Sequence, residues 1–370
     1  MAVLNKFSNS INSRIATFSK PMILLTIVFI SMLFHFPSRF DSDNSQYNIQ
    51  KQKSNHLFEN AFTKHGRGSH TAKLETRILI PSLIRIFKLN KFSLVILSLL
   101  SGVLLLGACY SYLLEKFQSI IAFWLTLAFS FTYTGASGFV ESRFIFDALS
   151  LALVFIGFLF LKRNCKIWTS IFGTLMYFFS ILNDERSIFT ILGFLILAKL
   201  SDRNCLKRAF ITSVVSFLLY GTYRLLLRYY FLVDTPIDGV GLSLLIDQMN
   251  NIRMGLLMFG EGLWVLVLVW FYSLAKLKSW NTLYVVLYLF SLILSFTVVD
   301  IGRSTIYWFP ILFIGLNTLL DFEEQKRRRY VFAIFLICFF VPTYYVSGKR
   351  SVWATFSVLE QGARNITGKY

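Results

Sequence analysis

The apolar residues of this chain fall into about eleven blocks, and the polar connections between them alternate in chemistry. One set of connections carries lysine and arginine: Lys6/Arg14/Lys20, Lys162/Arg163/Lys166, Arg203/Lys207/Arg208, Lys276/Lys278 and Lys326–Arg329. The other set mixes carboxylates with single arginines: Asp41/Asp43, Glu141/Arg143/Asp147, Asp184/Glu185/Arg186, Asp234/Asp238 and Asp300/Arg303. A bilayer sorts loops in this way, keeping basic flanks in the cytoplasm. The acid-containing set then collects on the opposite face, and candidate chemistry is sought there.

Composition agrees with that reading. Charged residues make up 15% of the chain and hydrophobic residues 55%. A water-soluble domain carries roughly 25% charged residues. The net charge of +18 does not indicate nucleic acid, because the basic residues flank apolar blocks instead of forming one patch. They suit anchoring of helix ends against anionic lipid. The cysteines Cys109, Cys165, Cys205 and Cys338 show no metal-type spacing and no outer-loop pairing, so neither a metal site nor a structural disulfide is expected. The first block, 21–37, ends in His35-Phe36-Pro37 where a cleavage site would need small residues, and it reads as an uncleaved anchor.

The fold expected is all-α: a polytopic transmembrane bundle with spans at 21–37, 93–114, 118–136, 144–161, 167–182, 187–200, 209–231, 255–275, 280–298, 304–320 and 330–347. This arrangement starts inside and ends outside, as one membrane domain over 1–370 with a short tail at 348–370. A long extracytoplasmic loop spans 38–92. Within it, Leu74, Ile78, Pro81, Ile84 and Phe87 recur at helical spacing and predict an interfacial helix. A second outer segment, 232–253, holds another short interfacial candidate at 242–249.

Several polar groups stand out against this background. Asp41 and Asp43 follow the first span, where a carboxylate suits a general base on a hydroxyl or a ligand for a divalent cation such as Mg or Mn. Asn183-Asp184-Glu185-Arg186 joins two short apolar runs and holds three charges close to hydrocarbon, at about 2.5–3.5 kcal/mol each on insertion scales. Its bland counterpart is a self-compensating acid–arginine pair at the headgroups. Glu141, Arg143 and Asp147 enter the next span, with Arg143 and Asp147 spaced to clamp one another on one helix face. Arg224 and Arg228 sit one turn apart among tyrosines, and their planar forks suit phosphate or diphosphate oxygens. His70 with Glu75 and Arg77, and Asp300 with Arg303, make further acid–base groups on the same face, while His35 reads as an interface residue.

The layout of one span, a long outer loop opening on Asp41 and Asp43, an interfacial helix and then many spans resembles the GT-C superfamily of integral-membrane glycosyltransferases. Glu75-Thr-Arg-Ile-Leu-Ile-Pro81 is also similar to an R-x-L-x-P pattern of small polytopic proteins of sugar-polymer loci, and Asn183–Arg186 looks like an acidic-arginine turn among them. The resemblance implies a multi-pass protein of a cell membrane, the bacterial inner membrane in the first instance. It also implies a polyprenyl-phosphate-sugar donor, a glycan or protein acceptor, and an essential acid matching Asp41 or Asp43. Asp184 and Glu185 would join the catalytic acids, and Arg186, Arg224 or Arg228 would hold the donor phosphate. Larger members carry a soluble C-terminal domain, and none is expected within residues 1–370.

Two other functions stay open. A polysaccharide polymerase or ligase would lean on arginines and need two lipid-linked sites. A transporter or flippase of a lipid-linked substrate should show repeated halves and polar groups at mid-membrane.

Overall fold

The computed structural model describes residues 19–35, 44–61, 72–140, 145–163, 167–233, 245–246, 261–266, 290, 293–297, 301–341, 343–347 and 350–355. Among these the chain is helical, apart from one C-terminal hairpin. Helix α1 covers Lys20–His35 and α2 covers Asn44–Asn55. A short 3-10 turn at Ala72–Thr76 leads to α3, Leu79–Phe87. The bundle follows: α4 Lys91–Leu114, α5 Ser119–Ser130, α6 Tyr133–Val140, α7 Ile145–Arg163, α8 Ile167–Asn183, α9 Ser187–Ser201 and α10 Arg203–Tyr229. Another 3-10 turn lies at Glu261–Leu263, followed by α11 Ile301–Ile306, α12 Phe309–Leu319 and α13 Glu324–Phe340.

Local chemistry explains several boundaries. The Ser93 N–H donates to Asn90 Oδ1 at 2.8 Å and starts α4, and Asp202 caps α10 in the same way through the Cys205 N–H at 2.7 Å. Pro81 sits in the first turn of α3, where its missing N–H costs nothing. Lys88 closes α3 in the left-handed region, at φ 50°. As the periodicity predicts, Pro81 and Ile84 of α3 are buried and so is Leu74 just before it, whereas Ile78 is half-buried and Ile80, outside the expected stripe, is buried. Phe87, expected on the same face, is exposed together with Ile86.

Helices α4 and α10 are each long and apolar enough to cross a membrane, and α5 with α6 makes a third if the bent pair counts as one span. Helix α1 buries Ile23 and Ile27 but exposes Met22, Leu25, Phe29 and Leu33. Helix α10 likewise exposes Phe210, Leu218 and Leu225. Such continuous apolar surface suits lipid better than water. The interior is aromatic: Phe194 lies 4.8 Å from Phe155 and 4.5 Å from Phe158, ring centre to ring centre, and Phe309 and Phe313 extend the cluster.

Three features depart from the pattern read in the sequence. The span expected at 118–136 is not one rod: α5 stops at Ser130 and α6 leaves it at 74°. Gly135 permits the reversal, since a Cβ there would strike the Phe129 carbonyl. Thr132 then stitches the corner, its hydroxyl donating to Phe129 O at 2.7 Å. Gly138 lies against α4 so closely that a Cβ would fall 2.5 Å from Gly102 N and Cα, and Ser98 Oγ donates to Gly138 O at 3.2 Å.

Second, the span expected at 330–347 ends as a helix at Phe340. Its last residues instead form β1, Thr343–Ser347, paired antiparallel with β2, Arg350–Thr355. The tail expected at 348–370 therefore contributes a strand. Strand β1 packs on α11 and β2 on α6. Pro342 forbids continuation of α13, and Tyr-Tyr-Val suits a pleated strand. Third, Cys205, expected in a loop, is buried in the first turn of α10; Cys109 and Cys338 are buried as well, and Cys165 lies outside the described residues. Most of the spans expected at 255–275 and 280–298, and all of 247–253, also lie outside them.

Candidate functional site: a buried cluster of carboxylates and guanidiniums

The two polar ends of the bundle differ in chemistry, and α7 connects them. At its C-terminal end Lys162 and Arg163 both bind Glu115, at 2.5 and 2.7 Å. Nearby, Lys116 donates to Asn317 at 2.6 Å and Arg328 to Gln118 at 3.1 Å. At its N-terminal end, roughly 22 Å away by helical rise, stands Asp147, fully buried.

Asp147 is gripped by residues distant in sequence. Arg303 Nε and Nη2 donate to its two oxygens at 2.7 and 3.0 Å, and the Tyr307 hydroxyl donates to Oδ1 at 2.9 Å. Helix α11 and the turn that follows it thereby place their polar groups over the start of α7. Arg186 Nη2 also reaches Asp147, at 3.4 Å. Its main bond is to Asp184, with Nε to Oδ1 at 2.9 Å and Nη2 to Oδ2 at 2.6 Å. Arg77 closes the group from the loop before α3: Nη1 lies 3.0 Å from Asp184, while Nε and Nη2 hold both oxygens of Glu185 at 3.1 and 2.9 Å. Paired forks of this kind are the strongest ion contacts that proteins make.

The turn that carries Asp184–Arg186 is pinned from below. Asn183 Nδ2 donates to Phe146 O at 2.7 Å and to Ser150 Oγ at 2.9 Å, and Ser180 Oγ donates to Ser150 O at 2.9 Å. Thr190 Oγ1 donates to Tyr307 O at 2.7 Å and ties α9 to the α11–α12 corner. These small polar side chains let α7 and α8 pack closely while satisfying one another.

Three carboxylates thus meet three guanidiniums, so the group is close to neutral as a whole. Burial alone would raise the Asp184 carboxyl, but Arg186 and Arg77 outweigh it and hold that carboxyl well below the usual carboxylate range. Glu185 is held down too: burial opposes ionisation, and Arg77 more than compensates. Asp147 and Asp184 are inaccessible, whereas 36% of the Glu185 side chain is exposed. Glu185 is therefore the carboxylate of the cluster that faces outward.

Comparison with protein-family models and with curated proteins finds no match. The site is accordingly read from its own geometry.

Of the residues that the sequence singled out, Arg77, Asp147, Asp184, Glu185, Arg186 and Arg303 converge here. Among the described residues Asp147 is partnered by Arg303 and Arg186, and the Arg143 expected from spacing to clamp it lies outside the described residues. Glu75 pairs with the buried Lys53 of α2, while Arg77 binds Asp184 and Glu185. Arg224 lies over Tyr220 and donates to its hydroxyl at 3.2 Å, and Arg228 lies beside Tyr229; neither contacts the cluster. Next to Arg224, the Tyr223 hydroxyl donates to Thr76 O at 3.1 Å, which sets this end of α10 beside the segment carrying Arg77. His35, expected at the interface, is buried with Nε2 3.1 Å from Ser130 O. Asp41, Asp43, His70, Glu141, Arg143 and Asp300 lie outside the described residues. No group of three or more His, Cys, Asp and Glu suited to a metal occurs among the described residues.

Two buried polar residues were not singled out in the sequence, one in this cluster and one apart from it. Tyr307 carried no signal, being one aromatic residue in an apolar run. Glu261 had one, as a single carboxylate inside the expected span 255–275.

Proposed function

We propose that this chain is a multi-pass membrane glycosyltransferase whose active end is the cluster around Asp147 and Asp184, facing the extracytoplasmic side. Its donor is a sugar on a polyprenyl phosphate. The observation that carries this reading is the two-pronged Arg77–Glu185 pair at the mouth of an otherwise buried charge network. A phosphate arriving from the bilayer matches the same fork of Arg77 and competes with Glu185 for it. Once displaced, Glu185 is a carboxylate beside the bound phosphate and free to accept a proton.

The transfer then balances. The acceptor hydroxyl oxygen bonds to the sugar C1, the C1–O bond to phosphate breaks, and its electron pair leaves on the phosphate, where Arg77 stabilises the charge. The hydroxyl proton passes to Glu185. Asp184, Arg186, Asp147 and Arg303 keep Arg77 and the turn in place. They are positioning residues here.

Surface glycans of cells lacking this chain, complemented with wild-type, Glu185→Gln or Arg77→Lys protein, test the reading. Wild-type complementation should restore a glycan that either variant at equal membrane abundance leaves missing. A glycan profile indifferent to deletion and to both variants would sink the proposal. One observation favours movement of a lipid-linked substrate instead, namely the 74° break between α5 and α6, because interrupted helices line transport sites.

A further inference from the structure

Glu261 occupies a second polar position, separate from the cluster and independent of the function proposed for it. It lies in the short 3-10 turn that packs against α5 and α13, and only 5% of it is exposed. One carboxyl oxygen, Oε2, accepts the Tyr133 N–H at 2.8 Å, the first backbone donor of α6. The other, Oε1, is buried without a hydrogen-bond partner among the described residues. No lysine, arginine or histidine among the described residues pairs with it, in contrast to each carboxylate of the charged cluster.

Two further features show that the fold forces Glu261 into this place. Its φ is +46°, a left-handed conformation that a glutamate adopts only when its surroundings impose it. The next residue, Gly262, abuts α13 so tightly that a Cβ would fall 2.5 Å from Cys338 Cα. The carboxyl is thereby held in the corner where α5 ends and α6 begins. An ionised carboxylate with no cation is strongly disfavoured in such a medium. A protonated one is accommodated: Oε2 keeps the Tyr133 N–H and Oε1 carries the hydrogen. Loss of that proton leaves an anion that the N-terminal end of α6 partly steadies.

We propose that Glu261 is a proton-binding site at the α5–α6 corner, with a proton that exchanges with the surrounding solution. Among the described residues the titratable neighbours are Tyr133 of α6, which touches it through its N–H, and Cys338 of α13, while His35 of α1 sits on the neighbouring Ser130 carbonyl. A corner that gains and loses charge in this way can bias the angle between α5 and α6, which is where a proton gradient would act on the fold.

The test uses the full chain in phosphatidylcholine vesicles. Infrared difference spectra between acidic and alkaline buffer should contain a protonated-carboxyl band that fades reversibly with rising pH and is missing in Glu261→Gln. Gln keeps an acceptor for the Tyr133 N–H. In parallel, dicyclohexylcarbodiimide, which modifies protonated carboxyls in apolar surroundings, should label the wild-type peptide containing Glu261 in acidic buffer and lose that label in alkaline buffer. This second measurement needs no variant, so a misfolded Glu261→Gln does not shelter the idea. A band that ignores pH, or a Glu261 peptide left unlabelled in acid, would overturn it.

Discussion

Arg303 holds Asp147 by both carboxylate oxygens, at 2.7 and 3.0 Å, across 156 positions of sequence. The pair joins α7 to α11 inside a region with almost no access to water, and Tyr307 and Arg186 also bind the acid. Removing either partner strands a charge where it is costly.

Asp147→Ala or Arg303→Ala should therefore each destabilise the protein by about 3–5 kcal/mol, since the remaining charge is buried and unpaired. Replacing both by leucine should cost clearly less than the sum of the single changes. Thermal unfolding in detergent measures this. Strict additivity would show that the two residues are not coupled.

Acid should unfold the protein by way of Asp184. Its folded-state carboxyl lies far below the ordinary value of 3.8 because Arg186 and Arg77 outweigh the cost of burial. Its contribution is complete above that ordinary value, and it declines as pH falls further because the unfolded chain then takes up a proton that the native one refuses. Melting temperatures at descending pH should drop from near pH 4 downward, and Asp184→Asn should flatten that drop while lowering stability at neutral pH.

The basic end should respond in a different pH window but with a slope of the same sign. Burial and the neighbouring Lys162 bring Lys116 down from 10.5 to about 8. Between these values the unfolded chain binds the extra proton, so stability should rise with pH across that window. Lys116→Met should abolish the rise in a melting series, and a slope unchanged by the substitution would assign it to another group.

Two glycines should answer oppositely to alanine. At Gly138 the added methyl meets the backbone of Gly102, which cannot step aside, and a loss of about 1–3 kcal/mol is expected. At Gly221 nothing lies within 4 Å, so alanine should gain up to about 1 kcal/mol through helix propensity. Paired unfolding curves of the two variants decide the point.

Sidedness is checked by single cysteines at 185 and 326, both at exposed side chains, in a background with Cys165 replaced by serine. A membrane-impermeant maleimide added to sealed vesicles should reach one of them from each side. Labelling of both from the same side would reverse the proposed arrangement of the active end.

The charged cluster was legible because charge beside hydrocarbon is expensive: Asp147, Asp184, Glu185 and Arg186 declare themselves wherever they interrupt an apolar run. Their partnership was not legible. Helical spacing points only to neighbours on the same helix, and the bundle brings Arg303 to Asp147 from another helix and Arg77 to Asp184 from a loop. The corner between α5 and α6 left a fainter trace in Gly135 and Gly138, which signal close approach without saying to what. The hairpin at 343–355 was hidden because an apolar aromatic run continues a helix and forms a strand equally well until Pro342 is given its weight.

That hairpin has a practical consequence for any experiment that alters the far end of the chain. Strand β1 lies on the short helix bearing Arg303, and β2 on the one that meets Glu261 at its start. A reporter spliced in place of residues 343–355 would strip a shield from both polar sites at once and report on a wounded molecule. A tag placed beyond residue 355 leaves that cover on.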